Sequence, residues 1–157
     1  MVPVCMQQKL DLKSICTYIR MMAFDTILHS NNGHVGACSS SVELLVALYF
    51  GGILQYNPRD PLDPSRDRVL IRGHVGPLRY SLFSLLGWVD KGELTSYRQF
   101  GSRLKGHESM HEIPGIDITP SGSLGMVLSY GVGCAISARE DNQNFRVYVF
   151  LGDGEEQ

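Results

Sequence analysis

The sequence lacks the features that mark several large classes of protein. No apolar run approaches the roughly 20 residues that cross a bilayer, and no apolar core follows the first residues, 1-MVPVCMQQKLDLK-13, as it would in a signal peptide. Charged residues make up only 19% of the chain, the net charge is −2, and no run of like charge occurs, which disfavours nucleic acid and anionic membranes as partners. The four cysteines form no Cys-x-x-Cys pair, so we predict free thiols in a reducing cytoplasm.

Apolar residues and glycines are plentiful by comparison. Apolar residues account for 43% of the 157, which is typical of a soluble globular domain long enough to bury a core. We therefore expect 1–157 to form one domain. The 17 glycines indicate many places where the backbone turns sharply or comes close to another group.

Helical and strand-like segments alternate along the chain. Apolar spacing and capping patterns predict helices, and short apolar runs bounded by turns predict strands. Alternation of this kind favours an α/β fold with a mostly parallel sheet flanked by helices on both faces. The predicted elements are helix 10–28, helix 42–50 after a capping box in 40-SSVE-43, strand 68–71, a helix from about 76 to 86, a helix from 90 to about 100, a long loop 101–123, helix 124–140 and strand 145–151.

Three of the five histidines share one local arrangement, because each follows a glycine in a loop. They are His34, His74 and His107. A single Gly-His pair is more often an ordinary loop histidine than a catalytic one, but three of them suggest a shared site. Imidazole can donate, accept or shuttle a proton near neutral pH. His29 and His111 lack this context, and we assign them no function.

Two further segments resemble parts of a phosphate site. The loop 121-SGSLGMV-127 enters a helix, where free backbone N–H groups favour an anion, although such a loop also occurs simply as a cap. The turn 152-GDG-154 follows the last predicted strand, and ligands of open α/β sheets bind at the carboxyl ends of strands. Asp153 there could hold Mg²⁺, which reaches proteins through carboxylates and phosphates. The alternative is a plain Asp-Gly turn.

Five motifs in order give the chain a family resemblance. They are 33-GHVG-36, 68-RVLIRGHVGPLRYSLFSLLG-87, 98-RQFGSRLKGH-107, 121-SGSLG-125 and 146-RVYVFLGDGEEQ-157. Each motif is weak alone, but together they resemble the transketolases, and most closely the N-terminal subunit of a split, two-chain transketolase. The resemblance covers the chain from about residue 10 to its end.

The resemblance implies a thiamine diphosphate enzyme that transfers a two-carbon ketol unit between sugar phosphates. It implies that His34, His74 and His107 line the catalytic site and that Asp153 coordinates Mg²⁺ or Ca²⁺. It also implies that the cofactor contacts the residues of the two glycine-rich turns and the second histidine. These cofactor-binding residues are His74, Gly122, Ser123, Leu124, Gly152, Asp153 and Gly154.

The resemblance also implies a partner. The glutamate that activates the cofactor comes from another domain in the family, so here we expect it on a second chain, the C-terminal transketolase subunit, with two such pairs forming a dimer. The metal motif of the family continues beyond Gln157, so we expect 1–157 to be a diphosphate domain that is truncated at its C-terminus. The family has Gln-Gly where this chain has Met126-Val127, and we expect the larger side chain to crowd the helix start.

Two other functions stay open from the sequence. The first is a related thiamine diphosphate enzyme with another donor, such as a 2-oxoacid lyase. The second is a non-catalytic relative, which the Met126-Val127 departure and the missing metal ligands would suit.

Overall fold

The structure is a computed structural model that describes residues 11–117 and 123–156. Its elements follow the predicted alternation of helices and strands. They are helix α1 (Leu12–Ser30), helix α2 (Val35–Phe50), strand β1 (Arg68–Ile71), helix α3 (Gly76–Leu86), helix α4 (Met126–Glu140) and strand β2 (Val147–Phe150), with 3-10 turns at Gly73–Val75, Lys91–Ser96 and Asp153–Glu155.

The two strands form a parallel pair. Arg68 lies opposite Val147, and the register runs on to Ile71 opposite Phe150. Helix α4 packs closely on β2 because Gly131 has no side chain: a Cβ there would lie 2.4 Å from Val149 Cγ2. The predicted fold class, an α/β fold with a parallel sheet and flanking helices, is confirmed.

Strand β1 has its outer edge covered by side chains. The Val69 N–H donates to Asp117 Oδ2 at 3.0 Å, and the Val69 carbonyl accepts from Arg79 Nη2 at 2.8 Å. In a parallel ladder whose Arg68 N–H bonds to the Arg146 carbonyl, the groups of Val69 point away from β2. Both backbone groups of that residue are therefore satisfied without a third strand.

Helices α1, α2 and α3 pack together around an apolar core. Along α1 the buried residues recur at the spacing of one helix face, as the sequence predicted, and α1 begins two residues later than expected. Strand β1 also belongs to this core, and partly buried side chains of β2 and of Trp88, just after α3, pack against it. Its fully buried members include Ile19, Val42, Leu45, Leu70, Ile71, Leu78, Leu82, Phe83, Leu104 and Ile113.

Two predicted helix boundaries are wrong. Helix α2 begins at Val35 rather than 42, and Glu43 pairs with Arg20 of α1 instead of capping. The earlier start places Cys38 on the same buried face as Val42 and Leu45, which favours continuing the helix upstream. The helix predicted from 90 to about 100 is a shorter 3-10 segment, although its capping box between Asp90 and Glu93 is present.

The cysteines in the described residues have free thiols, as predicted. Cys16, Cys38 and Cys134 are free, and the first two are buried. Cys5 lies outside the described residues. Across the ranges that the structure describes, none of the helices combines the length and apolarity needed to cross a membrane.

Candidate active site

The carboxyl ends of β1 and β2 meet at one edge of the sheet, and a cleft opens there. Because the strands are parallel, the segment after β1 and the segment after β2 lie side by side. The cleft has a volume of about 380 Å³. It is lined by His34, Ala37, Ser40, Arg72, His74, Leu124, Gly152, Asp153, Gly154 and Glu155.

The three Gly-His histidines lie together, and two of them, His34 and His74, line this cleft. His34 directly precedes α2, His74 lies in the 3-10 turn after β1, and His107 lies in the long loop. The ring centroids of His34 and His74 are 4.8 Å apart, and those of His74 and His107 are 5.8 Å apart. The predicted grouping is therefore found, with His74 in the centre. Their chemical roles stay predictions.

His74 has a lowered pKa. Burial lowers the pKa of His74 below its ordinary value, and the nearby His34, His107 and Arg72 side chains lower it further because each can carry positive charge. A neutral imidazole at neutral pH can donate from one nitrogen and accept at the other. His107 has a buried Nδ1 atom with no hydrogen-bond partner in the described part of the chain, so it has spare capacity for a ligand.

Glu155 joins the two turns that the sequence predicted to hold a diphosphate. Its Oε1 accepts from the Gly125 N–H at 3.1 Å, at the start of α4, and its Oε2 accepts from the Gly152 N–H at 3.2 Å. The anion expected at this helix N-terminus is thus partly supplied by the chain itself. Both carboxylate oxygens of Glu155 are engaged in holding the cleft walls together.

Asp153 is an exposed carboxylate on the cleft wall. In 11–117 and 123–156, no three His, Cys, Asp or Glu side chains converge where they could hold a metal ion. Any metal at Asp153 would therefore need further ligands beyond these side chains, from a phosphate, water or another segment. One protein carboxylate plus phosphate oxygens is a usual arrangement for Mg²⁺.

The loop that carries His107 is anchored by a buried ion pair. Arg79 Nη1 donates to Glu108 Oε1 at 2.7 Å, and both side chains are fully buried. Arg79 Nη2 also donates to the carbonyls of Val69 and Gly115, at 2.8 and 3.3 Å. Burial raises the pKa of the Glu108 carboxyl, and the adjacent guanidinium opposes that rise. The sequence around Glu108 is that of an ordinary polar loop and gives no sign of this role.

Not every predicted cofactor residue can be located. Gly122 lies outside the described residues. Ser123 is exposed and does not line the cleft, whereas Leu124, His74, Gly152, Asp153 and Gly154 do. Val127 is fully buried in the core. Val127 does not line the cleft, and the expected crowding of the helix start by the larger side chain stays a prediction.

A larger groove runs along α4, with a volume of about 600 Å³. Its lining is mostly apolar and includes Met126, Tyr130, Cys134 and Phe145. It contains no histidine or carboxylate among the described residues, so the smaller cleft has the groups that chemistry requires.

Sequence reasoning missed Arg72 and Glu155 in the cleft. Arg72 follows β1 directly, and its Nη2 lies 3.5 Å from Ser41 Oγ. Glu155 is two residues beyond Asp153. Their positions next to strand ends were the available signal, since residues there reach the same sheet edge.

A cleft at the carboxyl edge of a parallel sheet, with clustered histidines and a Gly-Asp-Gly turn, defines an α/β ligand-binding domain. Comparison with known proteins identifies its family. The sequence profile described as "Transketolase, thiamine diphosphate binding domain" matches residues 12–156. The chain therefore belongs to the transketolase family, through its thiamine diphosphate-binding domain.

Individual relatives agree with this assignment. The chain is 37% identical over 150 residues to the 6-deoxy-6-sulfo-D-fructose transketolase subunit of Clostridium sp. (strain MSTE9), covering 95% of this chain and 54% of that protein. It is 35% identical over 138 residues to an apulose-4-phosphate transketolase subunit of Phocaeicola vulgatus, covering 87% and 48%. The chain thus spans about half the length of these curated relatives.

The fold is also shared with solved transketolases. The transketolase of Campylobacter jejuni superposes with a TM-score of 0.84 at 29% identity, covering 93% of this chain and 24% of that one. A transketolase variant from Pichia stipitis gives the same TM-score at 32% identity, covering 94% and 23%.

Proposed function

We propose that this chain is the cofactor-binding subunit of a two-chain, Mg²⁺-dependent transketolase that transfers a two-carbon ketol unit between sugars or sugar phosphates in the cytoplasm. The main support is the cleft lined by His34, His74 and the Gly-Asp-Gly turn, with the His107 ring next to that of His74. The relatives named as transketolase subunits support the two-chain arrangement.

The residues present fit thiamine diphosphate. Gly152 and Gly154 leave the cleft wall free of side chains, and the Asp153 carboxylate would help to hold the Mg²⁺ or Ca²⁺ ion that accompanies the diphosphate. Leu124, which lines the cleft, would contact the cofactor. The unpartnered Nδ1 atom of His107 is a further polar group that a ligand could satisfy.

Thiamine diphosphate, when bound, supplies the carbon nucleophile and holds the electrons of the broken carbon–carbon bond. The histidines of this chain orient the hydroxyl groups of the sugar and move protons at those oxygens. His74, neutral at pH 7, can accept or donate, and a well-placed acid or base of this kind contributes roughly 10²–10⁴-fold to a rate.

A second chain would supply the carboxylate that activates the cofactor. Within the described residues, the cleft contains only Asp153 and Glu155 as carboxylates, and Glu155 already binds two backbone N–H groups. The outer face of α4 supports such an assembly, because Leu128, Val132 and Ile136 are about half exposed there. Burial of these side chains against another subunit would be favourable. A dimer of two-chain pairs completes the proposal.

The test is to co-express the chain with the product of the neighbouring reading frame and to measure thiamine diphosphate affinity by calorimetry with Mg²⁺. Ketol transfer from a ketose phosphate to an aldose phosphate is assayed in parallel. Asp153→Ala should abolish cofactor retention. Asp25→Ala, which changes an exposed carboxylate of α1, is the matched control. Unchanged affinity in the Asp153 variant would contradict the metal assignment, and the absence of transfer in the wild-type pair would contradict the reaction.

A further inference from the structure

Arg98 connects the loops that carry two of the three clustered histidines. Its guanidinium Nη1 donates to Asn32 Oδ1 at 2.7 Å. Asn32 lies two residues before His34, at the end of α1. The side chain therefore reaches from its own turn to the segment that leads into the start of α2.

The same guanidinium lies against the backbone next to His107. A Cβ added at Gly106 would stand 3.1 Å from Arg98 Cζ and 3.2 Å from Nη1. Such contacts are closer than side chains normally tolerate, so glycine at 106 makes room for the arginine. One planar group thus touches the loop before His34 and the residue before His107.

The backbone of Arg98 is itself held in an uncommon conformation. Its φ of 59° lies in the left-handed region, which costs a residue with a side chain roughly 1–2 kcal/mol. A hydrogen bond from the Arg98 N–H to the Leu104 carbonyl at 2.9 Å holds it there. This conformation sends the side chain back across the turn toward Gly106 instead of along the chain.

Charge pairing does not explain the position of Arg98. In the described ranges, no carboxylate lies within ion-pair distance of its guanidinium. The contacts that fix it are an amide oxygen and a glycine backbone, both beside histidine-bearing segments. A neutral amide partner and a close glycine backbone fit a role in spacing two loops.

We propose that Arg98 is a positioning residue that sets the separation of the His34 and His107 loops, and so holds both imidazoles against His74. Its consequence for catalysis rests on the proposed ketol transfer, but the positioning itself can be measured without that reaction. Loss of the planar guanidinium group of Arg98 should let the His34 and His107 loops move independently. A lysine, with one point charge and no planar face, should replace it poorly.

The histidine rings report the positioning directly. Ring resonances of His34, His74 and His107 are recorded by NMR on the wild-type chain, with the partner present if the chain requires it, and are assigned with single His→Gln variants. Arg98→Met should shift the His34 and His107 resonances well beyond the changes seen in Arg139→Ala, an exposed arginine on α4. The melting temperature should change by only a few degrees, since Arg98 is exposed.

A mutant cycle with Asn32 tests the mechanism. If Asn32 acts through Arg98, Asn32→Ala shifts the same resonances, and adding it to Arg98→Met changes little more. In the reconstituted enzyme, Arg98→Met should lower kcat at least about tenfold, or ~1.4 kcal/mol, and Arg98→Lys should recover only part of that. KM should change less than kcat, because ring placement acts on the reacting state.

Several results would overturn the proposal. Histidine resonances that match those of the wild type in Arg98→Met would show that the rings do not depend on this side chain. Independent, additive shifts from the two substitutions would show that Asn32 does not act through Arg98. A collapse of the fold in both the Met and Lys variants would assign Arg98 a structural role. Shifted rings in a protein without ketol transfer would leave the positioning supported and count only against the proposed reaction.

Discussion

Replacing Glu108 with leucine is expected to cost about 3–5 kcal/mol in the free energy of unfolding, because it leaves the Arg79 guanidinium charged in the core without its carboxylate. Both side chains are fully buried, at a separation of 2.7 Å. For a domain of this size, such a loss corresponds to a fall of roughly 6–20 °C in the melting temperature.

The other single variants should follow a definite order. Arg79→Met should lower the free energy of unfolding more than Glu108→Leu does. It removes the hydrogen-bond donor of the buried Glu108 carboxylate and also that of the Val69 and Gly115 carbonyls. Glu108→Gln should cost least, since an amide oxygen can still accept from Arg79. The double variant Arg79→Met/Glu108→Leu should cost less than the sum of the singles, because no unpaired charge remains.

Urea unfolding followed by circular dichroism measures these differences. Glu112→Gln is the control: Glu112 is partly exposed and lies 3.9 Å from Lys105. That change should stay within about 0.5 kcal/mol of wild type. A cost below about 1 kcal/mol for Glu108→Leu, or full additivity in the double variant, would refute the view that this pair anchors the His107 loop.

Two further predictions concern packing and pH. Gly131→Ala should destabilise the chain, because overpacking against Val149 costs about 1–3 kcal/mol and exceeds the gain of about 1 kcal/mol in helix propensity. In urea unfolding, adding Val149→Ala should restore part of the free energy of unfolding lost in Gly131→Ala. The control Gly133→Ala should raise that free energy, because its Cβ would meet nothing within 4 Å. Equal effects at 131 and 133 would contradict this reasoning. The pKa of His74 is lowered in the folded chain from its ordinary 6.5, so the unfolded chain takes up a proton there more readily. The contribution of His74 to stability is therefore full above pH 6.5 and is lost as the pH falls through the lowered pKa. Unfolding measured between about pH 5 and 8 should thus show a smaller acid loss in His74→Gln than in wild type, and identical profiles would count against a depressed pKa.

The fold class and the site's location could be predicted from the sequence because local signals carried them. Apolar periodicity located α1, and the alternation of helix and strand indicated a parallel sheet. The Gly-His pairs and the Gly-Asp-Gly turn then fell at loops and strand ends, where ligands of such sheets bind. The structure brings His34, His74 and His107 together as expected, while their roles and that of Asp153 stay predictions.

The features that the sequence did not reveal depend on contacts between distant residues. Glu108 lies among polar neighbours in a loop, and only its pairing with Arg79 from α3 makes it a core residue. The start of α2 was missed because Ser40 and Glu43 match a capping box, while burial of Cys38 extends the helix further upstream. Glu155 and Arg98 likewise gain their importance from distant parts of the chain, Glu155 from the Gly125 N–H and Arg98 from the side-chain oxygen of Asn32.

The side-chain contacts at Val69 also limit where a further strand could pair with the sheet. Since Asp117 and Arg79 occupy both backbone groups of Val69, these groups cannot pair with an additional strand, from this chain or from another, on that side of β1. Unprotected strand edges are where separate chains join into aggregates. The segment that carries Asp117 therefore helps to protect this edge from pairing with another chain, and a variant that released it would disturb the neighbouring loop of His107 and expose the edge at the same time.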